Sequence, residues 1–264
     1  MNTTIETNDL TKKFRDNVYG VNNVSFSVEK GEIFGFLGSN GAGKTTTINM
    51  LLDFVHPSSG SAEILGFDTQ EDTKEVRRRV GILPEDFGLY PRLTGFDHIR
   101  FAKNSKNGDE EVDDVIDRIG LSAEDGSRSV SEYSRGMKQR LGLGMALVGK
   151  PEVLILDEPS TGLDPNGIKL MRDIAREEAN RGVTVFFSSH ILGQVEAVCD
   201  RVGILNEGEL IAVDTIGGLR DSVGTGSVLI LKVDRELNLD VLRSIDGIDN
   251  VLYENDSVHF DISD

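Results

Sequence analysis

The sequence predicts an α/β fold: a parallel sheet covered on both faces, with a β-rich segment before it, a helical segment inserted in it and a small α+β appendage behind it. Three observations predict this. "EVLILD" and "VTVFFSS" are nearly unbroken apolar runs, the pattern of strands buried on both faces. They alternate with helical stretches, as parallel strands with crossover helices must. The turn "GSNGAG" joins the apolar strand "EIFGFL" to the helix "KTTTINMLLDFV".

In chain order, "TTIETNDL" reads as a strand. "VNNVSFSV" and "EIFGFL" flank the turn "EKG" and read as a hairpin-like pair. After the helix, the turn "HPSSG" leads to the strand "GSAEILGFD". From about residue 72 to 150 the pattern turns helical, with candidates at 72–79, 95–104, 109–119 and 136–149. "EVLILD" follows, then a helix at 165–181, the strand "VTVFFSS", a short helix "GQVEAVCD" and a hairpin over "RVGILNEGELIAV". "TIGGLRDSVGTGS" reads as a Gly-rich linker over 216–226. Residues 227–264 then read as strand, helix, strand, strand, too short for an independent core, so this piece is expected to dock on the main body or on a copy of itself.

Composition excludes several classes. At 264 residues with 38% hydrophobic side chains, the chain can bury a sizeable core. Cys199 is the single cysteine, so no internal disulfide forms and a reducing compartment is expected. The start "MNTTIETNDLTKKF" has no secretory pattern, and no window approaches the roughly 18 apolar residues of a membrane span. The net charge of −17 repels phosphate backbones, so no nucleic acid is expected as a partner. Acidic pieces such as "NGDEEVDDVIDR" read either as solvated faces or as a surface adapted to high salt, as in a halophile.

Four stretches carry chemistry. "GSNGAGKTT", Gly38, Ser39, Asn40, Gly41, Ala42, Gly43, Lys44, Thr45 and Thr46, matches G-x-x-x-x-G-K-[ST] between a strand and a helix. Backbone N–H groups there wrap phosphates, Lys44 reaches the outer ones and Thr45 offers a hydroxyl to Mg²⁺. "VLILDEPSTGLD" ends a buried strand in Asp157 and Glu158, at the sheet edge where such folds bind ligands. Asp157 suits the Mg²⁺ shell and Glu158 suits a base that polarises water. "FFSSH" brings His190 to the same edge for a phosphate contact. "YSRGMKQR" opens a helix with Ser134 as its cap, a second place to hold a phosphate. His56 in a turn, His98 on a helix, His259 on a terminal strand and Cys199 read as structural.

With these residues together, the chain resembles the ATP-binding cassette (ABC) subunits of ABC transporters over about 1–215. The resemblance implies a P-loop NTPase core with an antiparallel β subdomain and a helical subdomain at about 86–150. "GSNGAGKTT" is similar to the P-loop, "LILDEP" to the Walker B strand with its catalytic Glu, "STGLD" with Asp164 to the D-loop, and "FFSSH" to the switch-histidine loop. "YSRGMKQR" stands where the family has its signature, and Phe14 matches the aromatic that stacks on adenine, with a core role and the spare candidate Tyr19 as alternatives. The family pairs two cassettes head to tail, each ATP lying between one P-loop and the other's signature. Ser134 and the N–H groups near Gly136 would then grip the partner's γ-phosphate, which explains a second phosphate site.

Two motifs depart from the usual pattern. Arg135 replaces the first Gly of the signature and Met137-Lys138 stand where its Gln would follow; Glu85, in "ILPEDFGLYPRLTG", stands where the Q-loop Gln is usual, and its carboxylate can also ligand Mg²⁺. Both variants resemble the subclass that serves membrane permeases of the ABC-2 type, drug exporters among them. The resemblance implies an ATPase using ATP and Mg²⁺, a homodimer or cassette dimer on ATP binding, an integral membrane permease as a separate chain, and a peripheral position on the cytoplasmic face of the membrane. After Glu85, Phe87, Leu89, Tyr90 and Leu93 either receive a helix of that permease or pack the helical subdomain. The alternatives are a soluble ABC ATPase acting on ribosomes or DNA, and a small-molecule kinase.

Overall fold

A computed structural model describes residues 3–14, 18–222, 227–232, 248–254 and 257–262. They fall into two compact units, residues 1–213 and 214–264.

The first unit opens with β1 (Thr3–Lys13) and β2 (Tyr19–Glu29), an antiparallel pair that β4 (Ser59–Ile64) and β5 (Phe67–Asp68) extend into a four-stranded sheet in the order β2-β1-β4-β5. Their alternating burial is that of strands covered on one face. β3 (Ile33–Leu37) is buried almost throughout and belongs to a different sheet. The expected pairing of β2 with β3 is therefore corrected: the turn through Gly31 carries the chain from one sheet to the other. The physical reason is that β3 needs cover on both faces, which only the central position of the six-stranded sheet supplies.

That sheet also holds β6 (Val80–Leu83), β7 (Val153–Leu156), β8 (Thr184–Ser189), β9 (Arg201–Asn206) and β10 (Glu209–Thr215), in the order β10-β9-β3-β8-β7-β6. β3 pairs in parallel with both β8 and β9, and β6–β7–β8 continue in parallel. The hairpin of β9 and β10 forms as expected, through Glu207 (φ +48°) and Gly208 (φ +84°), both in the left-handed region that a two-residue turn demands. The two sheets meet through Phe26 of β2, whose ring stacks on Phe34 at 5.5 Å and contacts Phe36 and Phe186.

The helices are α1 (Lys44–Leu51), α2 (Thr73–Arg79), α3 (Gly95–Lys106), α4 (Val112–Arg118), α5 (Ala123–Ser127), α6 (Arg135–Leu147), α7 (Pro165–Asn180) and α8 (Leu192–Glu196). The helical expectations fall on α1 to α4 and α6 to α8; β6 and α5 were not anticipated. α1 stops at Leu51, short of the expected 55, because Asp53 turns left-handed at φ +55°. α3 packs on α6, and α6 packs on β6.

The second unit contains α9 (Ile216–Ser222), inside the stretch expected as a linker: its two glycines are tolerated because Gly218 N donates to Thr215 Oγ1 at 3.0 Å at the helix start. β11 (Ser227–Lys232), β12 (Ile248–Glu254) and β13 (Ser257–Ile262) form an antiparallel sheet in the order β11-β13-β12, matching the expected strands. The helix expected over "NLDVLRSI" lies outside the described residues.

Candidate functional site: the carboxyl edge of the parallel sheet

β3 ends centrally in the sheet, and its loop Gly38–Gly43 leads straight into α1. Gly43 is the N-cap of α1 at φ +109°, and a Cβ there would lie 2.3 Å from Gly20 O, so no other residue fits. No side chain caps α1 and no acid stands in its first turn, so its leading N–H groups and positive dipole end face an anion freely. Ser39, Asn40 and Gly41 form the exposed crest, with Ala42 and Gly43 buried behind them. Lys44 is buried; its ammonium donates to Gly38 O at 2.8 Å and Ser39 O at 3.2 Å. Thr45 is exposed, and Thr46 half-buried beside it.

β7 ends at Leu156, and Asp157 and Glu158 follow, both buried. Asp157 accepts a hydrogen bond from Ser188 Oγ at 2.5 Å. Burial pushes its carboxyl above the usual range, against the hydrogen bonds from Ser188 and Thr45. The Thr45 hydroxyl and Asp157 carboxylate thus meet at the foot of the loop. They fit a Mg²⁺ ion, which takes few protein oxygens and completes its shell with phosphate and water.

Glu158 takes φ +47°, a strained value for a side chain of its size. Its N–H donates to Ser188 Oγ at 2.9 Å, which helps hold the strain. One carboxylate oxygen, Oε2, lies 2.8 Å from His190 Nδ1. The other lies 3.1 Å from Lys44 Nζ and has no well-aligned hydrogen-bond donor, so one lone-pair direction is open in a buried site. His190 is itself half-exposed.

Phe14 is 47% exposed, which removes the core alternative. Its ring lies across Gly20, where a Cβ would be 2.5 Å from Phe14 Cε2 and 3.4 Å from Thr46 Cγ2. An exposed aromatic ring, with Lys12 Nζ 5.6 Å from its centroid, therefore stands beside the phosphate loop. Tyr19 is equally exposed, and its ring likewise faces a lysine, Lys13 Nζ at 5.4 Å.

Ser134 caps α6, accepting from Met137 N at 3.2 Å, and its own proton remains to donate. Arg135 lies along Gly162 (φ +78°), where a Cβ would meet Arg135 Cδ at 2.6 Å; Gly136 backs onto Gly162 O. Gln139 donates to Pro159 O at 3.1 Å from a buried position. The signature is thus locked to the segment that follows Glu158. It starts from a helix packed on β6, the edge strand three places from β3 in the sheet.

Asp164 caps α7, accepting from Gly167 N at 2.8 Å, so its carboxylate is already engaged in the helix start. Glu85 is exposed beyond β6; partial burial and the charges of Asp157 and Glu158 push its carboxyl up. It lines a cavity of about 240 Å³ with Arg135, Lys138 and Gln139. Phe87 packs into the notch at Gly142 of α6, whereas Tyr90 stays exposed.

The profile of the ABC transporter family matches residues 21–161. The chain belongs to the ABC transporter family. It is an ATPase of that family. The bacitracin transport ATP-binding protein BcrA of Bacillus licheniformis is 45% identical over 217 residues, 80% of this chain and 69% of BcrA. The linearmycin resistance ATP-binding protein LnrL of Bacillus subtilis is 34% identical over 250 residues, 92% of this chain and 80% of LnrL. A solved ATP-binding subunit of an ABC transporter superposes with a TM-score of 0.77 at 29% identity, covering 91% of this chain and 98% of that one. The dimeric cassette MJ0796, solved with ADP and phosphate, superposes at 0.72 with 21% identity over 80% of this chain and 98% of that one, a likeness of fold.

The structural histidines behave as expected. His56 pairs with Asp53 at 2.9 Å on the surface. Buried His98 accepts from Tyr90 N at 3.0 Å through Nε2, with Nδ1 2.7 Å from Thr94 O. His259 falls on β13. Cys199 is buried, and burial pushes its thiol far up, so it is inert at neutral pH. Sequence reasoning missed Ser188, Ser189 and Gln194. The first two were hidden in the apolar run "VTVFFSS", whose two final hydroxyls were the available signal.

Proposed function

We propose that the chain is the ATP-binding and ATP-hydrolysing subunit that powers a membrane exporter of the ABC-2 type. Residues 1–215 are its nucleotide-binding domain, with the helical subdomain at about 86–150 and the appendage at 227–264 beyond the 216–226 segment. The observation that carries hydrolysis is Glu158, a buried carboxylate held between Lys44 and His190 with an open lone pair.

The roles follow from position. The uncapped start of α1 and Lys44 hold the β- and γ-phosphates, and Phe14 receives the adenine. Thr45, Asp157 and Glu85 would hold Mg²⁺, which would supply charge neutralisation at the phosphates. Glu158 takes the proton of the attacking water, and His190 fixes the carboxylate that does so and contacts the γ-phosphate. Ser134, Arg135 and Gly136 serve the nucleotide of a second copy, in the head-to-tail pairing that the family resemblance implies; the hydroxyl proton that Ser134 keeps free at the start of α6 supports this. Asp164, in the D-loop-like stretch, is assigned to the same nucleotide. ATP thus joins two cassettes, and hydrolysis removes the shared phosphate.

The permease is a separate integral membrane chain, which supports a peripheral position on the cytoplasmic face; no helix among the described residues is long and apolar enough to cross a membrane. Export is supported by relatives named for bacitracin transport and linearmycin resistance. Net charge −17 supports a high-salt surface, as in a halophile, with activity and fold improving toward molar KCl. A pull-down of tagged Glu158→Gln from its native cells, with ATP and Mg²⁺ after mild detergent, tests the reading. A multi-span membrane protein is expected; ribosomal or DNA-repair proteins alone would overturn it.

A further inference from the structure

Gln194 lies on α8, outside every motif in the sequence. Its Oε1 accepts a hydrogen bond from Ser189 Oγ at 3.0 Å and another from Ser160 Oγ. Ser189 ends β8 directly before His190, and Ser160 stands two residues after Glu158. Both serines are buried, at 0% and 8% exposure, so their hydroxyls have little access to water as an alternative partner. Ser189 Oγ also accepts from Ile191 N at 3.0 Å, closing the turn that carries His190.

The segments bearing Glu158 and His190 are therefore joined twice. One link is the direct His190–Glu158 contact, made by a ring that is 43% exposed. The other is Ser160–Gln194–Ser189, made by two buried hydroxyls on a half-buried amide. Two hydroxyl protons converge on one carbonyl oxygen, using both its lone pairs. The carbonyl fixes the spacing of the two segments whether or not the histidine ring keeps its contact. The same Ser160 segment is tied to the signature through Gln139 and Pro159 O, so the link extends to the face expected to meet a second copy.

We propose that Gln194 is a positioning residue that holds Glu158 and His190 in register for water activation; this rests on the assignment of Glu158 as the base. The chemistry required at 194 is an acceptor at the end of a side chain of this length. Glu keeps the acceptor. Met keeps the shape and loses it.

The test uses the full chain with Gln194→Met, Gln194→Glu, Ser160→Ala, the Ser160→Ala/Gln194→Met pair and Glu158→Gln, following phosphate release with Mg-ATP, nucleotide binding and thermal melting. Gln194→Met is expected to lose kcat on the order of tenfold at unchanged KM, and Gln194→Glu to recover to within about twofold of the parent. The double variant should be no slower than Gln194→Met alone, since both cut one link. Wild-type turnover by Gln194→Met would overturn the proposal. So would a Gln194→Glu as slow as Gln194→Met, which would make 194 a packing position. Should Gln194→Met not fold, Ser160→Ala removes one arm and reads the same loss; full activity there counts against the link. Normal turnover by Glu158→Gln would instead defeat the underlying assignment.

Discussion

Glu158 Oε2 and His190 Nδ1 lie 2.8 Å apart, joining the ends of two neighbouring strands, β7 and β8, at the carboxyl edge of the sheet. The carboxylate is buried and the imidazole is half-exposed. His190→Ala should leave Glu158 in place through Ser188 and Lys44 but lose the orienting contact. We expect kcat to fall on the order of a hundredfold with nucleotide affinity within a few-fold of the parent, read by phosphate release and by titration with a fluorescent nucleotide. Equal losses in binding and turnover would make His190 a binding residue only.

Gly43 tests the loop itself. A Cβ there meets Gly20 O at 2.3 Å and must accept φ +109°. Gly43→Ala is expected to lose about 1–3 kcal/mol of stability in urea unfolding and to lose ATP binding. Gly41, also at positive φ but with nothing near its Cβ position, should tolerate Ala with a smaller loss. Similar costs at both positions would contradict the steric account.

Phe14 and Tyr19 separate by neighbourhood. Each ring faces a lysine, Lys12 for Phe14 and Lys13 for Tyr19, but Phe14 lies across Gly20 beside Thr46 at the phosphate loop. Phe14→Ala should weaken ATP by roughly 1 kcal/mol, about fivefold in Kd, and Tyr19→Ala should change it less than twofold. Isothermal titration with ATP against triphosphate alone reads the difference, since only the adenine should be affected.

Thr94 and Asp97 form a capping box at the start of α3: Asp97 N donates to Thr94 Oγ1 at 3.1 Å, and Thr94 N and Oγ1 donate to Asp97 at 3.1 and 2.7 Å. The hydrogen bond from the Thr94 side chain is the main reason Asp97 is held below its ordinary 3.8. A depressed carboxyl stabilises the fold above its unfolded value and loses that contribution as pH falls through the folded one. Thr94→Ala should cost about 1 kcal/mol at pH 7 in urea unfolding, and the gap should narrow below about pH 4. A gap that widens on acidification would reverse the assigned sign.

Much of the site was legible because phosphate chemistry writes itself in local sequence. Gly38–Thr46 must be contiguous to form one loop, and Asp157–Glu158 must end one strand, so each appears as a word. The six-stranded sheet was legible only in part. "VLILD" and "FFSS" declare their burial, but β6 is four residues between helices and earns its place by pairing with β7, a partner more than 70 positions away. The same non-locality hid the break between β2 and β3, which are neighbours in sequence but belong to different sheets. It also hid Gln194, whose two serine partners lie 34 and 5 residues away. Asp164 was legible as part of "STGLD", yet its nearest duty is to cap α7.

Glu158 is assigned as the base that activates the attacking water. The direct measurement is single-turnover phosphate release from Mg-ATP by Glu158→Gln beside the parent chain, with ATP affinity measured in the same preparation. The variant should bind ATP with near-parental affinity and release phosphate slower by about a hundredfold or more. Release within a few-fold of the parent, at equal affinity, would contradict the assignment.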